Sequence, residues 1–124
     1  MGSKRYHDEL VDRAYRQVIG SDKCREFFDL VEKEAEYGFE RTVGEIDVLG
    51  YVTGEIVVYA EIKSSSNHLK KARRQVERFL ETGVFDDRFC EAEYFSAGDV
   101  ENGEVESFFE QVVEKYKEKV RIDE

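Results

Sequence analysis

The fold of this chain is decided by the stretch GEIDVLGYVTGEIVVYAEIK, residues 44–63, in which two runs rich in β-branched residues flank Thr53 and Gly54. Runs of this kind are typical of strands, and a glycine between them supplies the backbone freedom of a tight turn. The stretch therefore predicts a β-hairpin centred near Gly54. With that centre, Asp47 and Glu61 are equally far from the turn and face each other across the two strands.

The predicted hairpin brings three charged side chains to one face. Directly opposed residues of antiparallel strands point to the same side, with Cα atoms about 4.5–5.5 Å apart, so the carboxylates of Asp47 and Glu61 converge. Lys63 follows Glu61 by two residues and shares that face, whereas Ile62 points into the core. A two-residue loop or a bulge at the turn would shift the register and break this alignment.

The segments on both sides of the hairpin predict helices around a small mixed sheet. Apolar residues recur at helical spacing over residues 4–19 and again over 22–37, where Cys24, Phe28 and Val31 share one face. The full predicted order is helices at 4–19 and 22–37, strands at 39–43, 45–49 and 55–63, a helix at 69–80, a strand at 91–96 and a last helix from 103. This order belongs to the α/β class.

Length and composition limit the classes of protein to which this chain can belong. A chain of 124 residues suits one compact domain over residues 1–124, and its 29 acidic against 19 basic residues give a net charge of −10, unlike a simple nucleic-acid binder. Cys24 and Cys90 lack the spacing of a zinc site, and we expect two reduced thiols. Neither a membrane span nor a signal peptide is visible, so we expect a soluble protein in the cytoplasm with no membrane partner.

Asp47, Glu61 and Lys63 together are suited to chemistry on a phosphate group. Two carboxylates on rigid strands, Asp47 and Glu61, together with the backbone carbonyl of Ile62, suit a hard cation such as Mg²⁺. The cation activates water and neutralises charge on a phosphate, and the Lys63 ammonium orients the water or stabilises the transition state. The alternative is an exposed hairpin face with solvated charges, although aspartate is a poor strand former at such a position.

The same residues resemble a known signature. Asp47 followed by Glu61-Ile62-Lys63 resembles the D…(D/E)xK motif of the PD-(D/E)xK nuclease superfamily, and the phrases GEIDVL and YAEIKS are similar to those of archaeal Holliday-junction resolvases and RecB-like nucleases. The resemblance covers residues 39–80, and the element order on both sides agrees with it. It implies a restriction-endonuclease-like αβββαβ core, here with an extra N-terminal helix and a C-terminal helix. It implies that Asp47 and Glu61 bind Mg²⁺, for which Mn²⁺ substitutes, that Lys63 is catalytic, and that no organic cofactor is used.

The resemblance leaves one acidic position open. Members of the family often use a glutamate on the first helix, for which Glu9 is the natural candidate, although its helical angle turns it away from the centre of the apolar stripe. Glu26, Glu32 and Glu34 are its rivals. His7 falls on the apolar face of its helix, and we interpret it as a core histidine.

A basic stripe follows the predicted catalytic strand. Between residues 63 and 78, six basic residues oppose one acidic residue, and the stripe at helical spacing consists of Lys70, Lys71, Arg74 and Arg78. Gln75 lies within it and matches a helical glutamine of the resembled family. Such a stripe grips phosphates beside the metal site, or it is simply a solvated face.

These observations predict a magnesium-dependent endonuclease that hydrolyses DNA phosphodiester bonds, with branched or repair intermediates as candidate substrates. A single small domain offers little surface for such substrates, so we also expect a homodimer. Two alternatives stay open: a nucleic-acid-binding or assembly module that does not cut, and an RNA-processing nuclease with the same site.

Overall fold

The computed structural model describes residues 2–37, 44–63 and 89–119, which form helices on a mixed sheet. The elements are α1 (Gly2–Ile19), α2 (Asp22–Phe27), β1 (Leu30–Tyr37), β2 (Gly44–Val52), β3 (Ile56–Ile62), β4 (Phe89–Phe95), α3 (Ala97–Glu101) and α4 (Glu104–Tyr116). The sheet has four strands in the order β1-β2-β3-β4. The first three are mutually antiparallel, and β4 runs parallel to β3. The coarse prediction of an α/β fold is therefore confirmed.

The central strand β3 is buried along its whole length, as expected for a strand covered on both faces. Its even-numbered residues, among them Val58 and Ile62, join a hydrophobic core with residues of α1, α2 and α4. The odd-numbered Val57, Tyr59 and Glu61 are buried on the opposite face. Within the part of the chain that the structure describes, no helix is both long and apolar enough to cross a membrane.

The predicted hairpin is confirmed in its register. The pairs run from Val52 opposite Ile56 to Val48 opposite Ala60, all equidistant from Gly54. Gly54 has a φ of 75°, a left-handed conformation that glycine adopts without a steric penalty. The turn closes with a hydrogen bond from the Glu55 amide to the Val52 carbonyl at 2.9 Å.

The prediction of one helix over residues 22–37 is wrong beyond Phe27. Helix α2 begins after Ser21, whose side chain accepts a hydrogen bond from the Cys24 amide, and it ends where Phe28 becomes extended. The Asp29 amide then donates to the Tyr51 carbonyl at 2.8 Å, which starts the pairing of β1 with β2. The apolar spacing of this segment fits a helix or a strand, and the ladder with β2 decides between them. The strand predicted at 39–43 lies outside the described residues.

The strand and the last helix predicted in the C-terminal part of the chain are both present. The strand predicted at 91–96 is confirmed as β4, and the last helix is confirmed as α4, which starts after Gly103 at a φ of 77°. Sequence patterns missed the short α3, which is held by a capping box between Ser96 and Asp99. The helix predicted at 69–80 lies outside the described residues.

Strand β1 carries one strained residue. Glu34 has a φ of 56° and is exposed, and it lies between the pairs Lys33–Val48 and Ala35–Ile46, which places it across from Asp47. A left-handed conformation costs a residue with a Cβ about 1–2 kcal/mol, and glycine avoids this cost.

We therefore expect Glu34→Gly to be more stable than Glu34→Ala by about 1 kcal/mol in the free energy of unfolding, measured by urea denaturation. In an ordinary strand position the order would be reversed, because glycine weakens strand interiors. An alanine variant at least as stable as the glycine variant would show that β1 is regular at this residue.

Candidate active site

The two carboxylates of the predicted site are both buried. Asp47 is 4% exposed and Glu61 is 2% exposed, and among the described residues they are the buried acids. The regular pairing of β2 with β3 ends at Val48 and Ala60, one position before them. There the Asp47 carboxylate accepts a hydrogen bond from the backbone amide of Ile62 at 2.8 Å, so a side chain takes over from the backbone ladder. The site therefore lies where the two central strands stop pairing.

Glu61 contacts two donors, one from its own strand and one from the residue just after the strand. The Tyr59 hydroxyl donates a hydrogen bond to Oε1, and the Lys63 ammonium lies 3.2 Å from Oε2. All three residues alternate along the chain and so share one face, as predicted for Glu61 and Lys63. Burial, and then the negative charge of Asp47, raise the pKa of Glu61 to about 7, although Tyr59 and Lys63 both favour the ionised form.

His7 enters the same site from helix α1. Its Nε2 donates to the Ile62 carbonyl at 2.8 Å and lies 3.5 Å from Oδ2 of Asp47. The interaction with Asp47 raises the pKa of His7 to about 9, against the opposing effect of partial burial. His7 is thus partly buried at a polar site, whereas its position on the helix predicted a core residue.

The four glutamates considered as a third acid differ in their distance from the site. Glu9 is largely exposed and lies 3.8 Å from Arg5 on the outer surface of α1. Glu26 is exposed beside Phe27 in the groove between α2 and α4. Glu32 is partly exposed and pairs with Leu49, which lies two residues after Asp47 on the same face of β2. Of the four, only Glu34 lies directly across from Asp47.

The donor set can be compared with the needs of a cation. Two buried carboxylates are the ligand type that Mg²⁺ prefers. Burial first, and then repulsion from Asp47, raise the pKa of Glu61, and a cation would relieve the repulsion. The Ile62 carbonyl, predicted as a further ligand, accepts from His7. Among residues 2–37, 44–63 and 89–119, no group of three acidic, histidine or cysteine side chains converges on a metal-sized site. The chemistry fits Mg²⁺ with an incomplete set of protein ligands.

Sequence reasoning missed two residues of this cluster. The alternation of β3 places Tyr59 on the face of Glu61, so the strand pattern alone contained that signal. The position of His7 depends on how α1 packs against the end of β3, which no local pattern encodes. Lys70, Lys71, Arg74, Gln75 and Arg78, predicted to bind nucleic acid, lie outside the described residues.

Comparison of the chain with models of known protein families, with curated proteins and with solved structures finds no match. The geometry of Asp47, Glu61 and Lys63 and the motif that they form are therefore the basis for any functional conclusion.

Proposed function

We propose that this chain is a magnesium-dependent endonuclease of the PD-(D/E)xK type that hydrolyses phosphodiester bonds in DNA. The observation that carries the proposal is the buried cluster at the end of the β2–β3 ladder. Asp47 and Glu61 are both buried there and their charges interact, and Lys63 Nζ lies 3.2 Å from Glu61. Burying two like charges is costly, so their retention in the core indicates a function that needs them.

Asp47, Glu61, Ile62 and Lys63 each have a definite part in this proposal. Asp47 and Glu61 hold Mg²⁺, and the Ile62 carbonyl is a further oxygen ligand. Mn²⁺ substitutes for Mg²⁺. When bound, the cation supplies charge neutralisation at the phosphate and activation of water. Lys63 is 15% exposed, so its ammonium reaches the boundary between the buried acids and solvent. From there it can orient the attacking water or stabilise the negative charge that develops on the phosphate.

The substrate follows from the sequence motif and the charge distribution. The resemblance to Holliday-junction resolvases and RecB-like nucleases favours branched or repair intermediates of DNA, cut by a homodimer. The stripe of Lys70, Lys71, Arg74 and Arg78, with Gln75, is the proposed contact with the phosphate backbone. On this proposal the sheet and helices are the restriction-endonuclease-like core.

One observation favours a second candidate, a nucleic-acid-binding or assembly module that does not cut. An oxygen of Asp47 accepts from the Ile62 amide, and the two oxygens of Glu61 contact the Tyr59 hydroxyl and the Lys63 ammonium. A cluster with these hydrogen-bond donors can form without a cation, although burial and the charge of Asp47 still raise the pKa of Glu61. The two candidates differ in whether added metal produces cleavage.

The test is a cleavage assay with linear duplex, single-stranded and four-way-junction DNA and with RNA, in Mg²⁺, in Mn²⁺ and in EDTA. We expect cutting of DNA that requires the metal and falls by at least about 10²-fold in Asp47→Ala and in Lys63→Ala. The matched controls are Asp12→Ala and Lys115→Ala, which remove ion pairs of the same kind on the surface.

Each other outcome has a distinct meaning. Metal-dependent cutting of RNA alone would replace DNA by RNA as the substrate. Binding of DNA without cutting in either metal would favour the non-cleaving module. Equal cutting by wild type and Asp47→Ala would show that the cluster is not the active site.

A further inference from the structure

The buried hydroxyl of Tyr59 belongs to the cluster but has no part in the function described so far. Tyr59 is 1% exposed and lies in the central strand, opposite Leu49 of β2 and beside Ala92 of β4. Its hydroxyl donates to Oε1 of Glu61. Because strands pair on both sides of it, the backbone of Tyr59 is fixed, and the hydroxyl is delivered from a rigid element.

Glu61 needs such a donor more than an exposed glutamate does. The terminal torsion of a glutamate side chain is broad, so the carboxylate plane is not set by the rotamer alone. Asp47 repels the charge of Glu61, which favours rotation of the carboxylate away from its partner. Tyr59 on Oε1 and Lys63 on Oε2 together set the plane of the carboxylate.

We propose that Tyr59 is a positioning residue, whose hydroxyl fixes the carboxylate of Glu61 in the orientation that binds the divalent cation. The proposal rests on the proposed function of Glu61 as a metal ligand. Partners that orient a metal ligand typically change metal affinity or activity by about 10–100-fold when they are removed. Removal of one oxygen atom, in Tyr59→Phe, is therefore expected to act on the metal rather than on the DNA.

The chain contains a matched control for this substitution. Tyr116 donates to Glu91, and Lys115 lies 2.9 Å from the same carboxylate, so a tyrosine, a glutamate and a lysine form a second cluster of the same composition. This second cluster joins β4 to α4, with Tyr116 buried and Lys115 exposed. Tyr116→Phe thus removes the hydroxyl that donates to Glu91, a glutamate that is not proposed to bind metal.

The experiment compares wild type, Tyr59→Phe and Tyr116→Phe. In Tyr59→Phe the Mg²⁺ concentration at half-maximal cleavage rate is expected to rise about tenfold, with the KM for DNA unchanged. Calorimetric titration of the metal-free protein with Mn²⁺, without DNA, is expected to show a similar loss of affinity. Tyr116→Phe is expected to match wild type in both.

A third measurement uses the intact protein, in case Tyr59→Phe does not fold. A buried tyrosine hydroxyl that donates to a carboxylate exchanges slowly with water and gives a proton resonance of its own. That resonance is expected to be present in wild type and in Tyr116→Phe, and to shift when Mg²⁺ is added.

The outcomes separate this proposal from the proposed function. Unchanged metal affinity in a folded Tyr59→Phe, or a hydroxyl resonance insensitive to Mg²⁺, would overturn the role of Tyr59 even if wild type cuts DNA. Weakened Mn²⁺ binding in Tyr59→Phe without any cutting by wild type would leave the positioning role standing and sink the nuclease. Failure of wild type to bind either metal would overturn both.

Discussion

Replacement of Glu61 by glutamine is expected to abolish DNA cleavage and, at the same time, to stabilise the metal-free protein. Glutamine keeps the size of the side chain and can still accept from the Tyr59 hydroxyl, but it carries no charge for a cation. We expect the rate of cleavage to fall by about 10³-fold, which corresponds to roughly 4 kcal/mol of lost transition-state stabilisation.

The gain in stability follows from the raised pKa of Glu61, about 7 against an ordinary value of 4.5. A carboxyl group whose pKa is higher in the folded state does not lower the free energy of unfolding below pH 4.5, where it is protonated in both states. The cost grows as the pH rises from 4.5 to 7 and is complete above pH 7. The pKa of about 7 already includes the favourable contacts of Glu61 with Lys63 and Tyr59, so the shift is a net cost that glutamine removes. We expect a gain on the order of 2 kcal/mol at pH 8.

Urea denaturation in EDTA at pH 8 and at pH 4 measures this difference. The glutamine variant should be more stable than wild type at pH 8 and equal to it at pH 4. Glu91→Gln is the control, because the hydrogen bond from Tyr116 and the Lys115 ammonium outweigh the opposing effect of burial and lower the pKa of Glu91. That variant should lose stability at pH 8. A loss of stability in Glu61→Gln at pH 8 would show that the buried charge is fully compensated without metal.

Replacement of Gly50 by valine is expected to destabilise the fold by about 3 kcal/mol. A Cβ at this position in β2 would lie 3.0 Å from Cε2 of Phe109 and 3.4 Å from Cδ1 of Phe28. The two rings pack edge to face with centroids 5.8 Å apart, so neither can move without disturbing the other. Added carbons in such a filled space force strain on the rings or on the strand.

The matched substitution is Gly98→Val in helix α3, where a Cβ would meet only Oγ of Ser96, at 3.9 Å. We expect that variant to change the free energy of unfolding by less than about 1 kcal/mol. Thermal or urea denaturation of both proteins decides the matter. Similar stabilities for the two variants would mean that the rings of Phe28 and Phe109 yield easily to a larger residue.

The hairpin was predictable because its information is local. Gly54 marks the turn, and equal spacing from it sets the register of β2 with β3, including the approach of Asp47 to Glu61. Strand β1 was not predictable in this way. Its segment places Phe28 and Val31 at a spacing that suits a helix, and the contrary information lies in the bond from Asp29 to Tyr51. Pairing with a distant strand overrides the local pattern.

The residues of the candidate site also differ in whether local sequence patterns predict them. Asp47, Glu61 and Lys63 follow from the hairpin, and Tyr59 follows from strand alternation once Glu61 is known. His7 lies 55 residues before Ile62, the residue it contacts, and nothing near it in the sequence announces that contact. The third acid was sought among glutamates of predicted helices, and the packing of α1 leaves Glu9 exposed on the outside.

The contact between His7 and Ile62 also constrains when the site can exist during synthesis of the chain. A ribosome releases α1 long before β3 emerges, and the contact forms only after the intervening chain has folded back. A nascent chain that has not yet folded back therefore lacks the contact of His7 with Ile62 and Asp47. The complete cluster of Asp47, Glu61, Lys63 and His7 therefore exists only in the finished fold.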